Sequence, residues 1–175
     1  MRSATLLVEK NQELERLSAT DRLTGLPNRL RLDRALEYDL ARCARKPYPL
    51  SIIMLDVDRF KTINDTHGHQ VGDSVVIAVA HILEKNIRKA DLLGRWGVEE
   101  FLLVCSGPLT DAMGLAEKLR LALQRHTFGT VGAVTASFGV STYRPGDTSQ
   151  ALIGRADAAL YVAKATGRNR VSVEV

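Results

Sequence analysis

PLSIIMLDVD, Pro49 to Asp58, is a nearly continuous apolar run that ends in two acids. A run of this length, rich in β-branched residues, predicts a strand buried on both faces, with Asp56 and Asp58 at its C-terminal tip. Upstream, TDRLTGLPNR breaks the chain with Gly25 and Pro27. Asn28 can cap the helix that follows, whose Leu30, Leu32, Leu36, Leu40 and Cys43 fit one helical face. Pro47 and Pro49 stop that helix. Downstream, a polar loop leads into DSVVIAVAHILEKNI, the pattern of a buried helix. DLLGRW and EEFLLVC read as two short strands on either side of Gly97-Val98, hence a hairpin. A helix from Thr110 to about His126, with Thr110 as N-cap, precedes the strand pattern VGAVTASFGVSTY. TSQALIGRADAALYVAKATG is a helix ended by Gly167, and NRVSVEV is a final strand. The order implies an α/β (α+β) fold, a mixed sheet with helices packed on it and a ferredoxin-like βαββαβ core with extra helices and strands.

The 175 residues suit one domain rather than two. Hydrophobic residues at 45% and charged ones at 25% fit a soluble globular chain. The runs SIIMLDV and VVIAVA fall far short of a spanning helix, and the N-terminus has no signal-peptide core, so a cytoplasmic location without membrane contact is expected. Leu7, Leu14 and Leu17 suggest the end of an amphipathic helix, making residues 1–19 a helical connector from an upstream sensor domain and 20–175 the functional domain. Cys43 and Cys105 stand in no ligand spacing and read as reduced structural thiols. A net charge of +4 suits an anionic ligand. It is too dispersed for a nucleic-acid groove, because the aromatic residues do not interleave with basic ones.

Chemistry concentrates around two acidic clusters. If the strand ending at Asp56 neighbours the one that begins at Glu99 and Glu100, hard oxygen ligands converge as Mg²⁺ or Mn²⁺ requires. From carboxylates alone, solvated strand ends fit equally well. Between the clusters, DVDRFKTINDTHGHQVGD holds Lys61, Asn64, His69 and Asp73 around Gly68 and Gly72, so that backbone amides and a cation can approach phosphates. Asn64 and Asp73 can together pair a guanine edge, since the carboxylate accepts from the ring N–H and the exocyclic amine. His67 and His69 lack a third soft ligand, and Met54 and Trp96 read as core or hairpin residues.

Five segments, DRLTGLPNR, DVDRFKTINDTHGHQVGD, GRWGVEEF, ASFGVS and DAALYVAKATGRNRV, occur in order. On these the chain resembles the GGDEF domain, the diguanylate cyclase family, from Thr20 to Val175. The resemblance implies a fold like that of class III nucleotide cyclases and polymerase palms. It also implies a reaction that joins two GTP molecules into cyclic di-GMP across a homodimer. Asp56, the Val57 carbonyl and Glu99 would hold two metal ions, with Glu100 a further ligand or the group near the attacking 3′-hydroxyl. Asn64 and Asp73 would read guanine. Lys61 and the backbone near Phe60, with Lys164 and Arg168, would bind phosphates, and Gly97 would lie beside the nucleotide.

One position departs from the family pattern: Val98 stands where the signature has its second glycine. In a type I′ turn both central residues need φ > 0, and valine would cost about 1–3 kcal/mol; in a type II′ turn only Gly97 does. Either way the isopropyl group blocks close approach of a ligand to the backbone. A displacement of about 1 Å costs on the order of 10²-fold in rate, so weak or absent cyclase activity is expected. Arg88 and Asp91 occupy the position of the family's RxxD product-binding site, which suggests an alternative role as a module sensing cyclic di-GMP there, or GTP in the old active site, for a neighbouring output domain. Arg144 to Asp147 has the same spelling in an irrelevant place.

Overall fold

The computed structural model describes residues 2–174, with the side chains of all of them except 15–17. All eight positions of β1 (Leu50–Val57) are buried. The cause is its place at the centre of a five-stranded sheet. β2 (Leu92–Arg95) pairs with β3 (Glu100–Ser106), β3 with β1, and β1 with β6 (Ala136–Thr142), all antiparallel, while β7 (Val171–Val173) adds in parallel to β6. The order β2-β3-β1-β6 is the ferredoxin-like arrangement expected from the sequence.

Alternate residues of β1 face two different helix pairs. Ile53, Leu55 and Val57 pack with Val76, Val79 and Leu83 of α4 (His69–Lys85) and Leu119 and Leu123 of α5 (Leu109–Arg125). Ile52 and Met54 pack with Leu32 and Leu36 of α2 (Arg29–Arg45) and with Leu152 and Leu160 of α6 (Ser149–Ala165). By that alternation Asp56 shares the α2/α6 face. Asn28 caps α2, its side chain accepting from the Arg31 N–H. Leu32, Leu36, Leu40 and Cys43 are buried as predicted, but Leu30 is exposed because it falls off that stripe.

Other boundaries differ from the sequence expectation. The polar loop after β1 is a helix, α3 (Phe60–His67), that buries only Phe60 and Ile63. Such a short helix shows too little periodicity to be seen in sequence. Gly68, at φ 89, is the break between α3 and α4, so α4 starts at His69 rather than at Asp73. α5 starts at Leu109 after Pro108, with no side-chain cap, so Thr110 lies inside its first turn. VGAVTASFGVSTY divides into β5 (Gly132–Ala133), paired with β4 (Thr127–Phe128), and β6. α1 (Arg2–Leu17) keeps Leu7 and Leu14 exposed, and the side chain of Leu17 lies outside the described residues. Cys43 and Cys105 are buried free thiols. No described helix is long and apolar enough to cross a membrane.

Candidate functional site

β1 and β3 bring the two acidic clusters together. Asp56 stands directly opposite Glu100 in the ladder, and the Val57 N–H donates to the Glu99 carbonyl at 3.0 Å. Lys164 reaches down from the last turn of α6 to Asp56 Oδ2 at 2.5 Å. Burial pushes the Asp56 carboxyl up to about 6; the Lys164 ammonium opposes this, while Glu99 and Glu100 reinforce it. Burial likewise raises Glu100. The desolvation of a carboxylate among other carboxylates outweighs one lysine, which leaves the site short of positive charge. Among the described residues no group of three or more His, Cys, Asp or Glu side chains stands at metal-holding spacing. Asp56, the Val57 carbonyl and Glu99, which meet at this end of the β1–β3 ladder, could offer a partial oxygen shell. That set fits a hard divalent cation whose remaining ligands are water and phosphate oxygens.

Asn64 on α3 lies against Gly72 on α4: a methyl at Gly72 would stand 1.8 Å from Asn64 Oδ1. Only glycine lets the two helices close on this amide. Asn64 Oδ1 is buried without a hydrogen-bond partner, the single such side-chain atom among the described residues. A buried orphan acceptor costs on the order of 1–3 kcal/mol, a cost that a ligand donor removes. Asp73 follows at once on α4 and is exposed. The glycine amides do not form the phosphate cradle expected from sequence, because Gly68 N–H donates to Asn64 O and Gly72 N–H to Gly68 O. The uncapped amides lie elsewhere, at the N-terminus of α3, where Phe60 is buried and Lys61 exposed beside a helix start with no side-chain cap. His69 opens α4 and is exposed, with no contact tying it to Asn64 or Asp73.

The Trp96–Glu99 turn is free of strain. Neither Gly97 nor Val98 has a positive φ, so the turn is neither I′ nor II′ and valine fits its backbone. Trp96 N–H and Gly97 N–H both donate to Glu100 O, and Arg95 binds the Gly97 and Val98 carbonyls while pairing with Asp21 at 3.1 Å. Val98 is 63% exposed. At Gly97 an added methyl would come within 2.9 Å of Glu100 Oε1, the movable end of that side chain, so a larger residue there would displace the Glu100 carboxylate. Trp96 holds the Arg29 guanidinium over its ring at 4.1 Å, and Arg29 in turn acts on Asp157 of α6, a neighbour of the acids that the sequence did not single out.

Arg168 and Asn169, just past α6, both have positive φ, and Arg168 is exposed. On the far side of the sheet, Arg88 and Asp91 line a cavity of about 420 Å³ with Asn86, Cys105, Thr110 and Lys118. Asp91 Oδ2 accepts from the Arg88 N–H at 3.0 Å, and Asp147 Oδ2 accepts identically from Arg144 N–H at 2.8 Å. The RxxD spelling thus encodes a turn. At Arg88 that turn borders the cavity, whereas Asp147 is consumed by Arg155 at 2.6 Å. Burial and the nearby Asp91 push the Cys105 thiol far above its usual range, which leaves it unreactive.

The sequence matches the family described as diguanylate cyclase, GGDEF domain, over residues 18–170. It is 40% identical over 158 residues to the diguanylate cyclase DgcP of Pseudomonas aeruginosa, a match covering 88% of this chain and 24% of that protein. The chain thus spans about a quarter of that relative's length. The coiled coil and GGDEF domain of DgcB from Caulobacter crescentus, in complex with c-di-GMP, is similar at a TM-score of 0.89 and 31% identity, covering 98% of this chain and 94% of that one. The active GGEEF domain of a diguanylate cyclase from Vibrio cholerae is similar at 0.80 and 36%, covering 85% and 97%.

Proposed function

Because the chain belongs to the GGDEF, diguanylate cyclase, family, we propose that it serves cyclic di-GMP signalling by joining two GTP molecules into cyclic di-GMP with loss of two pyrophosphates, at a rate lowered by Val98. The observation that carries this is the orphaned Asn64 carbonyl oxygen beside Asp73. An acceptor pair in which one member is buried and unpaired fits the donor edge of guanine, and adenine offers no matching pair of donors. Phe60 and Lys61 at the uncapped start of α3, with Lys164 and Arg168, would meet the β- and γ-phosphates. Asp56, the Val57 carbonyl and Glu99 would hold Mg²⁺ or Mn²⁺, which when bound supplies charge neutralisation at the attacking and leaving oxygens. Lys164 would exchange its bond to Asp56 for one to phosphate.

In the reaction each 3′-hydroxyl attacks the α-phosphorus of the other GTP. The bond from that phosphorus to the bridging oxygen breaks and pyrophosphate leaves. The 3′-hydroxyl proton passes to a carboxylate, for which Glu100, raised by burial, is suited. Two GTP molecules need two subunits, so the working unit is a homodimer, with α1 as the connector from an upstream sensor domain and the domain itself in the cytoplasm. Two glutamates also stand in the signature of the similar GGEEF domain, which is described as active.

The purified domain given GTP and Mg²⁺ should form cyclic di-GMP, detected by chromatography, and Asp56→Asn should reduce it to background. Since a proton competes for Asp56, the metal affinity measured by calorimetry should fall as the pH drops through about 6. GTP bound but never converted would instead favour a sensing module. The cavity beside Arg88 supports that second role, with a guanidinium for phosphate or guanine and Asp91 for guanine donors. Calorimetry with cyclic di-GMP should then show binding that Arg88→Ala weakens by about tenfold or more. Unchanged binding would place the ligand elsewhere.

A further inference from the structure

Asp58 stands one residue past β1 and is 7% exposed. From sequence it is a second acid beside Asp56, but its oxygens are already engaged. Ser137 Oγ donates to it at 2.6 Å, Thr135 Oγ1 at 2.7 Å and the Asn169 backbone N–H at 3.0 Å. Its own N–H donates to Thr135 O at 2.8 Å. A buried carboxylate that accepts three bonds, two of them on Oδ2, is held as a clamp between chain segments. Two of the segments belong to β6 and its entry. The third is the turn after α6, where Arg168 at φ 63 and Asn169 at φ 44 are consecutive residues in the left-handed region.

Left-handed conformations at non-glycine residues persist only where the surroundings over-determine them. Here Asn169 is held from two sides. Asp58 takes its N–H, while Arg120 of α5 donates to its side-chain oxygen at 3.0 Å and is itself fixed by Glu117 at 2.5 Å. Arg168 N–H closes on Ala163 O at 2.9 Å, which ties the turn to the end of α6 that carries Lys164.

We propose that Asp58 is a positioning residue, whose buried carboxylate locks the Arg168–Asn169 turn onto the tip of β1 and so presets the Arg168 guanidinium for the nucleotide's terminal phosphates. The inference rests on Arg168 being a phosphate group in the GTP site. It adds that the strand bearing the metal ligands and the turn bearing the phosphate ligand form one rigid unit. Preorganisation of this kind spares the ordering cost on binding, and it affects the triphosphate tail without touching guanine.

The test compares, in Mg²⁺, the affinities for GMP and for a GTP analogue with a methylene bridge between its α and β phosphorus atoms. Asp58→Ala should weaken the analogue about tenfold while leaving GMP within about twofold, and hydrogen exchange at the Asn169 amide should accelerate. Asp58→Asn keeps an acceptor for that N–H and should recover most of the loss. Arg120→Ala loosens Asn169 through its side chain, from α5 and without altering β1, and should shift the same ratio; it decides the matter if Asp58→Ala does not fold. Equal losses for both nucleotides, or an unchanged ratio in folded variants, would overturn the proposal. An unaltered domain that binds neither nucleotide would overturn the GTP site itself, and this inference with it.

Discussion

Val98→Gly should raise the rate of cyclic di-GMP formation on the order of 10²-fold. The same change should lower stability by about 0.5–1 kcal/mol, because the turn is unstrained with valine and glycine only adds entropy to the unfolded chain. The two signs together separate two causes. Had the valine strained the hairpin, its removal would have raised activity and stability alike. A side chain that is 63% exposed can act only on what approaches the turn from outside, which under the proposed GTP reading would be the ribose and α-phosphate of the nucleotide. Rate assays and thermal melts on the pair of proteins check this. Equal rates would show that the isopropyl group swings clear of the substrate.

Gly139→Ala should be among the most damaging single methyl additions to this fold, because the methyl meets main chain rather than a movable side chain. The new carbon would stand 2.2 Å from Ala156 O and 2.4 Å from Leu160 N, both backbone atoms of α6. A side chain could rotate away, but a helix backbone must move as a body. The expected loss is about 3 kcal/mol or more, or about 6–12 °C in the melting midpoint. Activity should also fall at temperatures where the protein remains folded, because α6 carries Lys164 to Asp56. Gly154→Ala on the same helix meets nothing within 4 Å and should stabilise by up to about 1 kcal/mol. A mild Gly139→Ala would mean that α6 does not rest on β6 through its backbone.

Gly139 also shows why the sequence is only partly legible. The strand pattern of ASFGVS is plain, yet nothing local says that this glycine is a contact point for a helix some twenty residues on. α3 escaped notice for a related reason: with Phe60 and Ile63 its only buried residues, it has no stripe to show. Asn64 and Asp73, the proposed guanine readers, are legible as residue types. Their setting is not, since Asn64 is orphaned only because α4 closes over it at Gly72.

Apart from α3 and the small β4–β5 pair, the order of strands and helices follows from the sequence, as do the acids at the tip of β1, the hairpin and the family resemblance. Each rests on local periodicity or on residue spacing, which short-range physics dictates. Tertiary structure alone decided which groups meet. Asp56 bonds Lys164 across 108 residues, and Asp58 bonds Asn169 across 111. These partnerships depend on sheet register and helix placement. In the same way, the freedom of Val98 from strain depends on how Arg95 and Glu100 hold the turn, so the valine leaves the hairpin intact and stands exposed at its tip.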